Sequence, residues 1–260
     1  MPAESETPRL LALDVGGVIV ETGPADGWAE VFARQLLDGA RRSLPDAADL
    51  PDSDWVAAEL AEGRARHSTW KGADRDGVEL DDEQLWALLA RPAWGRALLE
   101  HIARDRAGLT AALCLTWETR VARPGIGGLL DACDRAGIDV CIVSNTISGR
   151  AYRTVLADNG FDGRFAGLAF SDEVGIRKPD PRILLRAVEQ AGGDPSTTWY
   201  VGDTYRRDVA CGHRAGVAKT ILMRSGRTEP PPAYGPKPDA IVADPAALLD
   251  RITPGRHART

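Results

Sequence analysis

The chain of 260 residues is 43% hydrophobic and 27% charged, and it carries a formal net charge of −6. This length and composition are typical of one large or two smaller globular domains, and they exclude a disordered or collagen-like chain. Because nucleic-acid binding requires clustered Lys and Arg, the mild excess of acidic residues also argues against a nucleic-acid partner.

No segment of the sequence has the pattern of a membrane anchor, and the cysteines do not have the pattern of a disulfide framework. The longest apolar run, Leu10 to Val20, contains Asp14 and is too short to cross a bilayer. It follows the acidic start MPAESETPR, whereas a secretion signal has a basic start. The four cysteines form no CxxC pair, so neither a zinc site nor a disulfide framework is indicated. We therefore expect a soluble cytoplasmic protein without a membrane partner.

The first predicted element is a buried parallel strand at Leu10 to Val15, which opens into a glycine-containing loop. From Pro24 to Trp117 the apolar residues recur at helical spacing between Gly and Pro clusters, which predicts an insertion of about four helices. Residues 20–118 also have a net charge of −8 and contain six of the seven tryptophans. This segment is therefore predicted to be a separate helical unit.

The remainder of the chain alternates between predicted strands and helices. Strands are expected at 138–143, 167–170, 198–201 and 219–223, with a last one in the segment DAIVADPAALLDRI. Helices are expected from Ile126, near 149–159, over 181–190 and near 206–215. This alternation predicts an α/β fold with a parallel sheet that carries helices on both faces.

Polar side chains follow several of these strands, at the edge where open parallel sheets bind ligands. They are Asp14, Ser144, Asn145, Asp203 and Asp208, together with Lys178, which is expected to open a helix. Three converging carboxylates call for a bound cation, and oxygen ligands suit Mg²⁺. A metal, a lysine and small polar donors at one edge are typical of phosphoryl transfer.

The segments LLALDVGGVIV, VCIVSNT, GIRKPDP and YVGDTYRRDVACGHRAG resemble, in order, the four motifs of the haloacid dehalogenase-like hydrolase superfamily. The resemblance implies a Rossmann-like catalytic core formed by 1–19 and 119–260, with a C1-type helical cap over 20–118. It also implies a Mg²⁺-dependent phosphatase that acts on a small phosphorylated metabolite.

The same resemblance implies a role for each residue of the site. Asp14 would be the nucleophile, Ser144 and Asn145 would bind the phosphoryl oxygens, and Lys178 would neutralise charge. Mg²⁺ would be held by Asp14, Gly16, Asp203 and Asp208, of which Asp208 would either ligate the ion or orient its waters and Lys178. Gly16 would contribute only its backbone carbonyl. The helix expected to begin near Lys178 would add backbone N–H donors to the anion site.

Gly16 is a departure from the resemblance, because most phosphatases of the superfamily have a second Asp there as the general acid and base. We therefore expect a slow enzyme or a substrate with an easy leaving group. Two other readings follow: cleavage of a phosphonate through a Schiff base at Lys71, and a non-catalytic phosphate-binding module. A metal-free dehalogenase is disfavoured, because Asp203 and Asp208 are both present.

Overall fold

The computed structural model describes residues 7–44, 50–73 and 77–253, so most of the acidic start lies outside the described residues. The chain divides into two compact units. One unit comprises Met1–Thr22, Arg120–Thr146 and Arg153–Thr260, and the other comprises Gly23–Thr119 and Ile147–Tyr152. The assignment of a cap domain to 20–118 stays a prediction.

Eight strands are present in the described residues. They are β1 Leu10–Leu13, β2 Val20–Pro24, β3 Glu118–Ala122, β4 Asp139–Ser144, β5 Gly167–Phe170, β6 Thr198–Gly202, β7 Lys219–Met223 and β8 Ala240–Val242. Six of them form a sheet in the order β5-β4-β1-β6-β7-β8, and every neighbouring pair is parallel. The short strands β2 and β3 pair separately with each other. The predicted α/β fold with a parallel sheet is thus confirmed.

Eleven α-helices lie in the described part of the chain. They are α1 Trp28–Ser43, α2 Ser53–Gly72, α3 Asp82–Leu89, α4 Arg96–Arg104, α5 Arg106–Trp117, α6 Ile126–Ala136, α7 Gly149–Asp158, α8 Ser171–Val174, α9 Pro181–Gln190, α10 Ala210–Ala215 and α11 Pro245–Ile252. Two 3₁₀ turns at Pro92–Trp94 and Pro195–Thr197 and a π-helical turn at Tyr205–Val209 complete the set. None of the described helices is long and apolar enough to cross a membrane.

The central strand β1 is buried on both of its faces. Leu10 and Ala12 pack in one cluster with Leu184 of α9, while Leu11 and Leu13 are equally inaccessible on the opposite face. Since side chains alternate along a strand, only a strand covered on both sides is apolar at every position. This explains why Leu10–Leu13 has no polar residue before Asp14.

The second unit contains five helices, α1 to α5, and the expectation of about four was too low. The additional helix is α5, whose start is set by Asp105, because its carboxylate accepts a hydrogen bond from Gly108 N at 2.9 Å. Its last ten residues, GLTAALCLTW, are apolar on nearly every side of the helix and therefore show little helical periodicity. Trp86, Trp94 and Trp117 are buried in the core of this unit.

The helix expected to begin near Lys178 begins instead at Pro181. Asp180 is its N-cap, because its side chain accepts a hydrogen bond from Arg182 N at 2.9 Å. Helix α9 thus has the predicted bounds 181–190, but Lys178 lies in the loop before it, so the expectation that Lys178 opens the helix is wrong.

Candidate active site

The register of the sheet brings three of the predicted site residues to one edge. Strand β1 lies between β4 and β6, and Leu13 is paired with Ile142 on one side and Val201 on the other. Asp14 continues this pairing, since its backbone N donates to Val201 O at 2.9 Å. Ser144, the last residue of β4, and Asp203, directly after β6, therefore lie on either side of Asp14. All three side chains are buried.

Lys178 reaches this edge from the loop before α9. Its ammonium group lies 3.0 Å from Asp14 Oδ1 and 2.7 Å from Asp208 Oδ1, and it donates a third hydrogen bond to Val143 O at 3.1 Å. Burial opposes the charge of Lys178, but the two carboxylates outweigh burial and raise the pKa of the lysine. The lysine is therefore a fixed positive charge next to Asp14.

The Asp14 carboxylate is held by Lys178 and by the backbone of the next residue. Its Oδ1 accepts a hydrogen bond from Val15 N at 2.8 Å in addition to the contact with Lys178. Burial raises the pKa of Asp14 above its ordinary value, and repulsion from Asp208 and Asp203 adds to the rise against the attraction of Lys178. Asp14 thus has the restricted orientation and poor hydration expected of a reactive carboxylate.

Asp208 lies in the π-helical turn and is surrounded by donors. Its Oδ1 accepts from Tyr200 OH at 2.8 Å, and its Oδ2 accepts from the backbone N and hydroxyl of Thr204 at 2.9 and 2.6 Å. Burial would raise the pKa of Asp208, yet the charges of Lys178 and Arg207 and the side-chain hydrogen bonds from Lys178 and Thr204 lower it. Asp208 is therefore a permanent anion that fixes Lys178.

Asn145 orients Lys178 through the backbone. Its Oδ1 accepts from Lys178 N at 2.8 Å, and its Nδ2 donates to Lys178 O at 3.1 Å. The side-chain amide that was expected to bind a phosphoryl group is thus already engaged. A contact between Asn145 and phosphate stays a prediction, and it would use the remaining Nδ2 proton or the backbone N–H.

Sequence reasoning missed Arg227, whose guanidinium lies among the predicted metal ligands. It donates to both carboxylate oxygens of Asp203, at 3.0 and 2.9 Å, and to Gly16 O at 2.9 Å. It also lies 3.7 Å from Asp14 Oδ2. The strand-end rule could have found this residue, because β7 neighbours β6 and Arg227 lies in the loop that follows β7.

A second missed residue is Arg123, which is buried against the loop that follows β1. Its guanidinium donates to Gly17 O and to Ala243 O, the latter at 3.2 Å, and pairs with Glu21 at 3.0 Å. Gly17 itself has a φ of +79°, and a Cβ there would lie 2.0 Å from Asp203 Oδ2. Position 17 therefore requires glycine, and Arg123 holds the loop that presents the carbonyl of Gly16.

The oxygen atoms at this edge fit a divalent cation. Asp14, Asp203 and Asp208 each place a carboxylate oxygen within 4.8 Å of the others. Asp14, Asp203 and the carbonyl of Gly16 all face the guanidinium of Arg227, so a cationic group already lies where they converge. Such an all-oxygen set suits Mg²⁺. Lys71, which the phosphonate hypothesis requires, lies in the last turn of α2 in the other unit and is exposed.

Comparison with known proteins places the chain in a family. The model of the haloacid dehalogenase-like hydrolases matches residues 8–216. The chain is 34% identical over 129 residues to a phosphoglycolate phosphatase of Agrobacterium fabrum, a match that covers 50% of this chain and 54% of that protein. It is 36% identical over 135 residues to an N-acetylmuramic acid 6-phosphate phosphatase of Pseudomonas aeruginosa, which covers 50% of this chain and 58% of that protein.

The chain thus spans about half the length of these two curated relatives. The fold is also that of the HAD-hydrolase YfnB of Bacillus subtilis, whose structure is bound to magnesium. That likeness has a TM-score of 0.56 at 20% identity and covers 95% of this chain and 99% of the other. The sequence match over most of the chain, together with this fold and the ordered site residues, shows that the chain belongs to the haloacid dehalogenase-like hydrolase family.

Proposed function

We propose that this chain is a Mg²⁺-dependent phosphatase that hydrolyses the phosphate ester of a small metabolite through an aspartyl-phosphate at Asp14. The observation that carries the proposal is the buried contact of Lys178 with both Asp14 and Asp208, beside Asp203 at the same sheet edge. The curated relatives described above are both phosphatases by name, which supports the same reaction class.

Mg²⁺, held by Asp14, Asp203 and the carbonyl of Gly16, would supply positive charge toward the phosphoryl oxygens. Asp208 would keep Lys178 in place rather than act as a ligand, because its oxygens already accept from Lys178, Tyr200 and Thr204. Lys178 and the hydroxyl of Ser144 would bind the phosphoryl group as negative charge develops on it.

In the first step, a carboxylate oxygen of Asp14 forms a bond to phosphorus while the bond from phosphorus to the leaving oxygen breaks. The leaving oxygen takes its proton from water, which becomes hydroxide, since Gly16 has no side chain to donate one. In the second step, water attacks phosphorus and gives a proton to solvent hydroxide, the bond from phosphorus to Asp14 breaks, and inorganic phosphate leaves. We assign substrate selection to the segment 20–118, which forms most of the second unit.

The test is hydrolysis of p-nitrophenyl phosphate by purified protein with Mg²⁺ and after treatment with EDTA. We expect turnover only with Mg²⁺, and loss of that turnover by at least about 10³-fold in Asp14→Asn, because the nucleophile is removed. Asp162→Asn is the matched control, since Asp162 is exposed and lies outside the site. Turnover of Asp14→Asn equal to that of the control would show that another group performs the chemistry.

A further inference from the structure

Arg227 lies where the three proposed metal ligands meet. Its Nη2 is 2.9 Å from Asp203 Oδ1 and 2.9 Å from Gly16 O, and it is 3.7 Å from Asp14 Oδ2. These are the oxygen atoms that would hold a divalent ion at about 2.1 Å. A guanidinium at hydrogen-bond distance from two of these oxygen atoms would occupy the same space as an ion bound by all three.

The turn that carries Arg227 is folded onto Asp203. Ser225 Oγ donates to Asp203 Oδ2 at 2.7 Å and accepts from Arg227 N at 3.0 Å. Thr228 Oγ1 donates to Asp203 O at 2.9 Å. Three residues of the segment 225–228 therefore donate hydrogen bonds to Asp203, namely Ser225, Arg227 and Thr228. These contacts position the guanidinium of Arg227 in the site.

Arg227 nevertheless has a path to solvent. Its side chain is 34% exposed, whereas the side chain of Asp203 is fully buried. Rotation of the arginine side chain would therefore remove its two hydrogen bonds to the Asp203 carboxylate, while the hydrogen bond from Ser225 stays in place. The cost is the loss of charge-assisted hydrogen bonds, which a bound cation would replace.

Gly16 provides the space for this arrangement. A Cβ at position 16 would lie 2.7 Å from Nη1 of Arg227, so any larger residue would displace the guanidinium from its present position. The glycine that departs from the common first motif and the arginine at the metal ligands are thus parts of one arrangement.

The charges favour one cation at a time. Asp208 is paired with Lys178 and is also stabilised by the charge of Arg207, whereas Asp203 and Asp14 face Arg227. A divalent ion in place of Arg227 would keep a positive charge beside Asp203 and Asp14, whereas an ion added beside Arg227 would put two cations on shared ligands in a poorly solvated place.

We propose that Arg227 is an internal competitor of the divalent cation: it neutralises the ligands in the metal-free protein and leaves them when the ion binds. This inference rests on the metal site of the proposed function. It predicts that the chain binds Mg²⁺ weakly for its ligand set, and that the arginine sets that affinity.

The test is the affinity of metal-stripped protein for Mg²⁺ by titration calorimetry and for Mn²⁺ by electron paramagnetic resonance. We expect Arg227→Gln and Arg227→Ala to bind both ions at least about tenfold more tightly than the wild type, the factor that one charge-assisted hydrogen bond represents. Arg227→Gln keeps most of the side-chain length, so it separates charge from packing. Arg224→Ala is the matched control, because Arg224 is exposed in the same loop.

A second readout is thermal unfolding. Without metal, both Arg227 variants should melt below the wild type, because the carboxylates lose a partner, and saturating Mg²⁺ should raise their Tm more than it raises that of the wild type. Equal or weaker ion affinity in both variants would overturn the role of Arg227 and leave the phosphatase proposal intact. Failure of every variant to bind either ion would overturn this proposal and the metal site together.

Discussion

At the scale of single residues, Gly16 is the position at which this site departs from the motif it resembles. In the proposed function its backbone carbonyl would bind the cation, and position 16 has no side chain that could protonate the leaving group. An enzyme of this kind depends on the intrinsic stability of the leaving alkoxide or phenoxide. The site does contain the buried ion pairs of Lys178 with Asp14 and with Asp208.

Substitution Gly16→Asp should therefore restore acid assistance. We expect hydrolysis of alkyl phosphates to rise by up to about 10²-fold relative to hydrolysis of p-nitrophenyl phosphate, whose leaving group needs little help. The new Cβ would meet only the far end of the flexible Arg227 side chain, so the change is sterically tolerable. Gly16→Asn is the control, since it has the same size but transfers no proton, and an equal gain in both variants would refute the explanation.

At the scale of elements, Arg123 joins the loop after β1 to the segment between β8 and α11. It donates to Gly17 O and Ala243 O and is only 8% exposed. The loop also has hydrogen bonds of its own, from Gly17 N to Val20 O at 2.7 Å and from Ile19 N to Val15 O at 2.9 Å. Arg123 adds a connection between this loop and the segment before α11.

Arg123→Ala should lower the free energy of unfolding by about 2 kcal/mol, since the buried carbonyl of Gly17 loses a charged donor and the part-buried hydrogen bond to Ala243 O is lost as well. It should also lower kcat/KM, because the carbonyl of Gly16 loses its fixed position. Urea unfolding and steady-state kinetics measure the two effects. Arg206→Ala is the control, because the Arg206 side chain is 82% exposed. It should change the free energy of unfolding by no more than about 0.5 kcal/mol and should leave kcat/KM at the wild-type value. Equal effects of the two variants on both quantities would contradict this role for Arg123.

The elements also show which features the sequence determines locally. Helix α9 and strands β5 and β7 have the predicted bounds, because Asp180-Pro181 is a strong helix start and the two strands are short apolar runs between polar loops. Helix α5 was missed because a segment that is apolar on most sides has little periodicity. Arg227 was missed because its place in the site depends on long-range contacts with Asp203 and Gly16, and the loop that follows β7 has no motif of its own.

At the scale of the whole molecule, charge is divided along the chain. Residues 20–118 have a net charge of −8, whereas the rest of the chain carries the lysine and arginine residues of the site. A segment with an excess of positive charge suits the binding of a phosphate ester. The overall charge of −6 is thus an average of two parts with different compositions.

The central claim is that Asp14 becomes phosphorylated during turnover. The direct measurement is to quench the protein with borohydride while it hydrolyses p-nitrophenyl phosphate with Mg²⁺, and to identify the residue at position 14 by peptide mass spectrometry. An acyl phosphate is reduced to homoserine, so we predict homoserine at position 14 with substrate and aspartate without it. Sustained hydrolysis with unmodified aspartate at position 14, or with homoserine at another carboxylate, would contradict the account.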